Sequence, residues 1–227
     1  MKRYVIIVAG GKGLRMGGDL PKQFIPVAGK PILMHTLEKF AQWDVEARLL
    51  LVLPEAHQAY WQMLCREIGC RAEHRLATGG ETRFHSVRNG LEQLRSEVEP
   101  GDLIAVHDGV RPFVSEEVIS ACFQEAERGG AAVPVCPVAD SLRRKTADGK
   151  SEPVDRSLYY AVHTPQVFRA ELLYRAYKQP FQNTFTDDAS VVESLGAEVA
   201  MVPSNRENIK ITTPMDLAIA RSLLGSE

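Results

Sequence analysis

The chain has 227 residues, 44% of them hydrophobic, enough to bury a full core as one domain without disulfides or metal to hold it together. Charged residues make up 25% and the formal net charge is -2, so no overall basic field exists to hold a nucleic acid or an anionic membrane, and any anion site must be local. The four cysteines, Cys65, Cys70, Cys122 and Cys136, contain no CxxC pair and are expected as separate buried thiols in a reducing compartment.

At the start of the chain, Lys2 and Arg3 precede an apolar run over 4–9, too short for a signal-peptide core or a membrane span, so a cytosolic protein is expected. This run and those over 48–53, 103–107 and 131–135 are apolar or β-branched and flanked by glycine, proline or charge, the pattern of buried parallel strands. Helical patterns separate them: 31–41, with Pro31 suited to a first turn; 57–68; 84–94; and 115–128, where Ser115 and Val118 bracket a helix start. Alternation of this kind predicts an α/β fold, a mostly parallel sheet with helices on both faces. The rhythm breaks over 138–160, where Asp148-Gly149 marks a turn between two polar arms and predicts a projecting β-hairpin. A strand over 199–202 and a helix over 213–224, opened by Thr213-Pro214, close what reads as a single domain over 1–227, with no repeat, low-complexity tract or linker.

The first strand runs into "IVAGGKGLRMGGDLPKQF" (7–24), a glycine-rich stretch carrying Arg15 and Lys22. Loops at the carboxyl ends of parallel strands are where open α/β sheets bind ligands, and Gly10, Gly11 and Gly13 let backbone N–H groups turn toward an anion. The spelling departs from two common phosphate loops. After Gly11 and Gly13 the third glycine of a dinucleotide fingerprint is missing, and the stretch from Gly13 has P-loop spacing but Asp19 where lysine is required. Pro21 stiffens the backbone before Lys22, which favours a purposeful placement of the cation over a solvated one.

Glycines followed by Arg-Met and then Pro-Lys-Gln-Phe resemble the nucleotidyltransferases, most closely the 2-C-methyl-D-erythritol 4-phosphate cytidylyltransferases. The resemblance continues through "TGGETRFHSV" (78–87), "VHDGVRPFVS" (106–115), "DS" (140–141), "VDR" (154–156), "TPQVF" (164–168), "TDDAS" (186–190) and "ENIKITTPMDLAIA" (207–220). Two positions depart from it: Gly109, where alanine is expected, and Ser141, where threonine is common.

The resemblance implies a Rossmann-like sheet and a reaction in which the phosphate of methylerythritol phosphate attacks the α-phosphorus of CTP and releases pyrophosphate. A phosphomonoester with a second pKa of about 6 is already an ionised nucleophile at neutral pH. The chemistry therefore needs charge compensation rather than a general base, and Arg15, Lys22 and Lys210 are suited to supply it. The resemblance places the nucleotide on Ala9, Gly10, Gly11, Gly13, Gly80, Ser86, Asp108 and Gly109, with Gly80 and Ser86 at the cytosine. Asp108 is expected to hold Mg²⁺, a hard cation usually bound through one or two carboxylates plus substrate phosphates. Arg111, Thr164 and Thr186 are implied at the acceptor. Asp140, Ser141 and Arg156 are implied to reach it from the arm of a second chain, which makes 138–160 a dimerisation arm. Asp187-Asp188 invites a two-carboxylate reading, but acidic residues after Thr186 are also an ordinary helix start. His107 is expected as a packed strand residue. Two other readings stand beside this one: a cytidylyltransferase for a pentitol phosphate such as ribitol 5-phosphate, and a nucleotide-binding regulator without turnover.

Overall fold

The computed structural model describes residues 1–11 and 20–225. In chain order its elements are β1 (Arg3–Val8), a 3₁₀ turn (Lys22–Phe24), β2 (Pro26–Val27), β3 (Lys30–Pro31), α1 (Ile32–Trp43), β4 (Arg48–Leu53), α2 (Glu55–Ile68), β5 (Arg75–Thr78), α3 (Arg83–Leu94), β6 (Leu103–Asp108), α4 (Glu116–Gly129) and β7 (Ala131–Pro137). There follow β8 (Arg143–Lys145), β9 (Ser151–Pro153), a second 3₁₀ turn (Arg156–Leu158), β10 (Tyr160–Val162), β11 (Gln166–Arg169), α5 (Ala170–Ala176), α6 (Asp188–Glu193), β12 (Ala200–Pro203) and α7 (Pro214–Leu223).

The main sheet runs β10-β7-β11-β6-β1-β4-β5, with β12 paired to β7. β1 pairs in parallel with β4 and β6, and β4 with β5, while β11 runs antiparallel between β6 and β7. The central strands β1, β4 and β6 are mostly apolar on both sides because both sides are covered, whereas β5 lies at the sheet's edge and carries exposed Arg75 and Thr78. Val5 and Ile7 of β1, with Leu49, Leu51 and Leu53 of β4, face α1, α2 and α4 through Leu33, Phe40, Trp61 and Phe123. The alternate residues Tyr4, Ile6, Leu50 and Val52 face α3, α5 and α6 through Phe84, Leu91, Leu173 and Val192.

The chain fills the sheet outward from β1 to β4 and β5, then returns to lay β6 on the other side of β1. That reversal opens a crevice at the carboxyl ends of β1 and β6, the place where open α/β sheets take their ligands. Register sets what lies there. Val8 is level with Asp108, so Ala9 and Asp108 end adjacent strands, and antiparallel β11 brings Thr164 back to the same edge.

Several sequence expectations shift. The α2 helix starts at Glu55, two residues before the predicted start, and β7 continues to Pro137. The projecting hairpin is limited to β8 and β9 around a turn with Gly149 at φ 82, while Tyr160 belongs to β10 of the main sheet. The strands β5, β10 and β11 and the helix α5 were not predicted, because each is only three to seven residues long and leaves no sustained periodicity. The cysteines are not four separate buried thiols: only Cys122 is fully buried, and Cys65 and Cys70 are brought together where Cys70 N donates to the Cys65 carbonyl at 2.9 Å. Among the described residues no helix is long and apolar enough to cross a membrane.

Candidate active site

Past Pro21, whose backbone is extended at φ -55 and ψ 134, the chain makes the single 3₁₀ turn of Lys22, Gln23 and Phe24. Two of these three side chains are anchors. The Phe24 ring is buried against His57, Tyr60 and Trp61 of α2, with centroids 5.6, 5.2 and 6.2 Å away. The Gln23 amide donates to the Ala9 carbonyl at 2.9 Å, tying the turn to the end of β1. With its neighbours fixed, Lys22 is held over the glycine-rich stretch. Its Cε would lie 3.4 Å from a Cβ on Gly11, so the side chain passes alongside that backbone.

Lys22 and Gln23 line a cavity of about 220 Å³ together with Ala9, Gly10 and Gly11 on one side and Gly80, Arg83 and Ser86 on the other. Asp108 and Lys210 complete it. The second wall is the start of α3, where Thr82 is the N-cap and accepts from His85 N. The Ser86 hydroxyl accepts from Gly80 N at 3.0 Å and donates to the Thr82 carbonyl at 3.0 Å, which draws Gly80 against the helix. A Cβ on Gly80 would meet His85 Cβ at 2.5 Å, so only glycine fits this approach.

Asp108 is the centre of the charge. Its Oδ2 accepts from Arg111 Nε at 3.1 Å and from Lys210 Nζ at 3.0 Å, and Arg83 Nε is 3.7 Å from its Oδ1. Burial alone would raise the Asp108 carboxyl, but Arg83, Lys210 and Arg111 together outweigh it and hold the group well below the usual carboxylate range. Lys210 comes from the far end of the chain. The stretch carrying it is docked by Asn208, whose Nδ2 donates to the Thr164 carbonyl and whose own carbonyl accepts from Arg111 Nη1 at 2.8 Å, and by Ile211 N, which donates to Val110 O.

Behind Asp108 runs a buried relay. Arg111 O can only accept, so His107 Nε2 carries the proton toward it at 3.0 Å, and Nδ1 accepts from the Thr164 hydroxyl at 3.0 Å. The Thr164 oxygen in turn accepts from Asp108 N at 3.1 Å. Thr164 therefore spends its hydroxyl fixing the backbone of Asp108. His107 is a packed strand residue, as expected, with the Phe40 ring 4.8 Å away.

Arg83 is a cavity residue that sequence reasoning missed. It pairs with the fully buried Asp188 at 2.6 Å, whose other oxygen takes the Tyr177 hydroxyl. Burial works against the Arg83 charge, and Asp188 and Asp108 more than offset it, so its pKa is raised. A signal was present: a cation in the first turn of a helix opposes the helix dipole and calls for carboxylates nearby. Asp187 is the N-cap of α6, its carboxylate accepting from Ser190 N and Gln166 Nε2, so the pair at 187–188 is a helix start with a buried ion pair.

Other implied positions lie outside the cavity lining. Arg111 touches Asp108 from behind, and Thr186 is exposed beside the α6 cap. Asp140, Ser141 and Arg156 are exposed on the arm, where Arg156 donates to the Ala139 carbonyl. Gly109 packs so that a Cβ would meet Ala9 Cβ and Leu33 Cδ1 at 2.9 Å each, which accounts for glycine there. Gly13 and Arg15 fall outside the described residues.

A cavity that gathers cations at the switch point of a parallel sheet, beside glycines free to present backbone N–H groups, defines the chain as an α/β protein with a site for a phosphate-bearing ligand. The family model described as IspD, 2-C-methyl-D-erythritol 4-phosphate cytidylyltransferase, matches residues 4–226, and the chain belongs to that family. It is 57% identical over 224 residues to the protein of that name from Bacteroides thetaiotaomicron and 55% identical to that of Phocaeicola vulgatus, covering 99% of this chain and 100% of each relative. Among solved structures it is similar to the 4-diphosphocytidyl-2C-methyl-D-erythritol synthase of Anaerococcus prevotii, with a TM-score of 0.82, 27% identity and coverage of 99% and 96%. It is also similar to the cytidylyltransferase of Thermus thermophilus, with a TM-score of 0.75, 33% identity and 98% of each chain covered.

The relay behind Asp108 makes the fold acid-sensitive. Complete burial pushes the His107 imidazole down to about 3, against the smaller opposing effect of its bond to the Arg111 carbonyl. An unfolded histidine titrates near 6.5, so the stability due to neutral His107 is full above about pH 6.5 and is lost progressively as pH falls toward 3. Unfolding free energies from urea titrations between pH 7.5 and 4.5 should fall, by about 1.4 kcal/mol per pH unit from this group below pH 6, and the midpoints with them. A midpoint independent of pH would show that His107 is protonated in place.

Proposed function

We infer that the chain transfers the cytidylyl group of CTP to 2-C-methyl-D-erythritol 4-phosphate, releasing pyrophosphate. The observation that carries this reading is the convergence of Lys22, Arg83 and Lys210 around Asp108 in one cavity, within a chain that belongs to the cytidylyltransferase family over its whole length. An oxygen of the acceptor phosphate forms the new bond to the α-phosphorus of CTP, and the bond from that phosphorus to the bridging oxygen of the β-phosphate breaks. No proton has to move in this step, because the monoester is ionised at neutral pH. What rises is negative charge around a five-coordinate phosphorus, and Arg15, Lys22 and Lys210 oppose it, while Arg111, buried behind Asp108 and bonded to it and to the Asn208 carbonyl, positions that carboxylate. Gly80 and Ser86, drawn together by their hydrogen bond, are suited to read the cytosine edge and reject uracil and purines.

Asp108 fits the role of the protein's carboxylate for Mg²⁺. Its Oδ2 is committed to Arg111 and Lys210, while Oδ1 faces Arg83 only at 3.7 Å, beyond hydrogen-bond length. Among the described residues no three carboxylate, histidine or cysteine side chains cluster to hold a metal, which suits an ion bound largely through substrate phosphates. When bound, Mg²⁺ would neutralise phosphate charge and orient the leaving pyrophosphate. Pyrophosphate release measured with four nucleotides and with methylerythritol phosphate or ribitol 5-phosphate tests the assignment. Turnover is expected with CTP and methylerythritol phosphate and is abolished by EDTA. Equal or faster turnover of ribitol 5-phosphate would move the chain to pentitol phosphates.

Residues 1–227 are read as one cytoplasmic catalytic domain whose arm over 138–160 pairs with the arm of a second copy. The support is exposure: β8 and β9 are polar and open on both sides, and Leu158, Tyr159, Tyr160 and Val162 leave an apolar patch at the arm's base. A lone two-stranded ribbon is marginal in water. Asp140, Ser141 and Arg156 then serve the partner's cavity. Mixing inactive Lys22→Ala with inactive Arg156→Ala should restore activity, since one site of each mixed dimer receives both intact residues. If subunits exchange and activity stays at the parental level, each site is built from one chain alone.

A further inference from the structure

The α2 helix ends on Gly69 in the left-handed region, with φ 78 and ψ 60. Gly69 N and Cys70 N both donate to the Cys65 carbonyl, at 3.1 and 2.9 Å. Such a reversal folds the residue after the glycine back over the last helical turn, where an apolar pair commonly closes it. Here both members of the pair are cysteines, and both pack against the same apolar cluster beneath α2. The loop beyond is fixed: His74 Nδ1 bonds the Ala72 carbonyl at 2.8 Å, His74 Nε2 takes the Trp61 indole N–H at 2.9 Å, and Cys70 Sγ is 3.8 Å from the same Ala72 oxygen. Cys65 and Cys70 are both half-buried, so a small reagent reaches them, whereas Cys122 is buried.

We propose that Cys65 and Cys70 form a reactive dithiol, a modification site outside the catalytic cavity that takes small-molecule disulfides and closes to an intramolecular disulfide. The neighbouring Cys65 lowers the Cys70 thiol to about 7, which makes Cys70 the attacking sulfur, while burial pushes Cys122 up to about 12 and keeps it inert. The Cys70 thiolate attacks one sulfur of glutathione disulfide, forming a mixed disulfide and expelling one glutathione thiolate. Cys65 then attacks the Cys70 sulfur, giving the Cys65–Cys70 bond and expelling the second glutathione, and the two protons lost by the protein end on the two glutathione thiols.

The test uses the full chain, folded, incubated with glutathione disulfide, then acid-quenched, alkylated and weighed intact and as peptides. The expected wild-type product is about 2 Da lighter before alkylation, carries a 65–70 crosslink and regains both thiols with dithiothreitol. Cys65→Ser should instead hold a glutathione on Cys70, about 305 Da heavier, and Cys70→Ser should leave Cys65 essentially unmodified. A stable glutathione adduct on wild-type Cys70 without closure would overturn the proposal. So would equal modification of the four cysteines, or modification of Cys136 ahead of Cys70.

Discussion

Arg83, Arg111 and Lys210 are held 3.7, 3.1 and 3.0 Å from the oxygens of one carboxylate, that of Asp108. Cations at such spacing repel one another, and without a central anion they would turn outward to water or take other partners. Asp108 supplies the common anion, with Asp188 and the Asn208 carbonyl as further partners of Arg83 and Arg111, and its own charge is secured by the cations. Arg83, Arg111 and Lys210 against Asp108 and Asp188 leave an excess of one positive charge, before Lys22 is counted, facing a cavity for a polyanion.

The rest of the fold serves to place that carboxylate. Parallel register puts Asp108 level with Val8, beside the glycines that follow β1, and the reversal of strand order at β1 opens the crevice between them. Antiparallel β11 returns Thr164 to hold the backbone of Asp108. The 207–211 stretch docks through Asn208 and Ile211 and delivers Lys210. Gln23 and Phe24 do for Lys22 what Asn208 and Ile211 do for Lys210: buried neighbours on one or both sides fix the backbone from which the cation reaches the cavity.

How much of this was legible in the sequence follows from the range of each interaction. The central strands were, because two covered faces require unbroken apolar runs such as Tyr4 to Ile7 and Leu49 to Leu53. Helix starts at Ser115 and Thr213 were, because capping is decided within three residues. Glycines, Lys22, Asp108 and Lys210 were found by motif. The Arg83–Asp188 pair joins residues 105 apart, and only the tertiary fold creates it. The antiparallel β10 and β11 are too short to carry a period. Contact between Cys65 and Cys70 lay hidden in a spacing that acquires meaning only once Gly69 is known to end α2.

The account makes Asp108 an organiser of cations rather than a proton carrier or a mere counter-charge, and Asp108→Asn separates these roles. The substitution keeps the shape and removes the charge, so CTP dissociation constants and kcat are measured on the same preparation, with urea midpoints to confirm folding. Organisation predicts CTP binding in EDTA unchanged or tighter, because positive charge has increased, together with a fall in kcat with Mg²⁺ of about 10²–10³, because the cations are no longer spaced and the carboxylate for Mg²⁺ is lost. A variant with full kcat, or one whose kcat loss is matched by loss of folded protein, would contradict the central role given to this carboxylate.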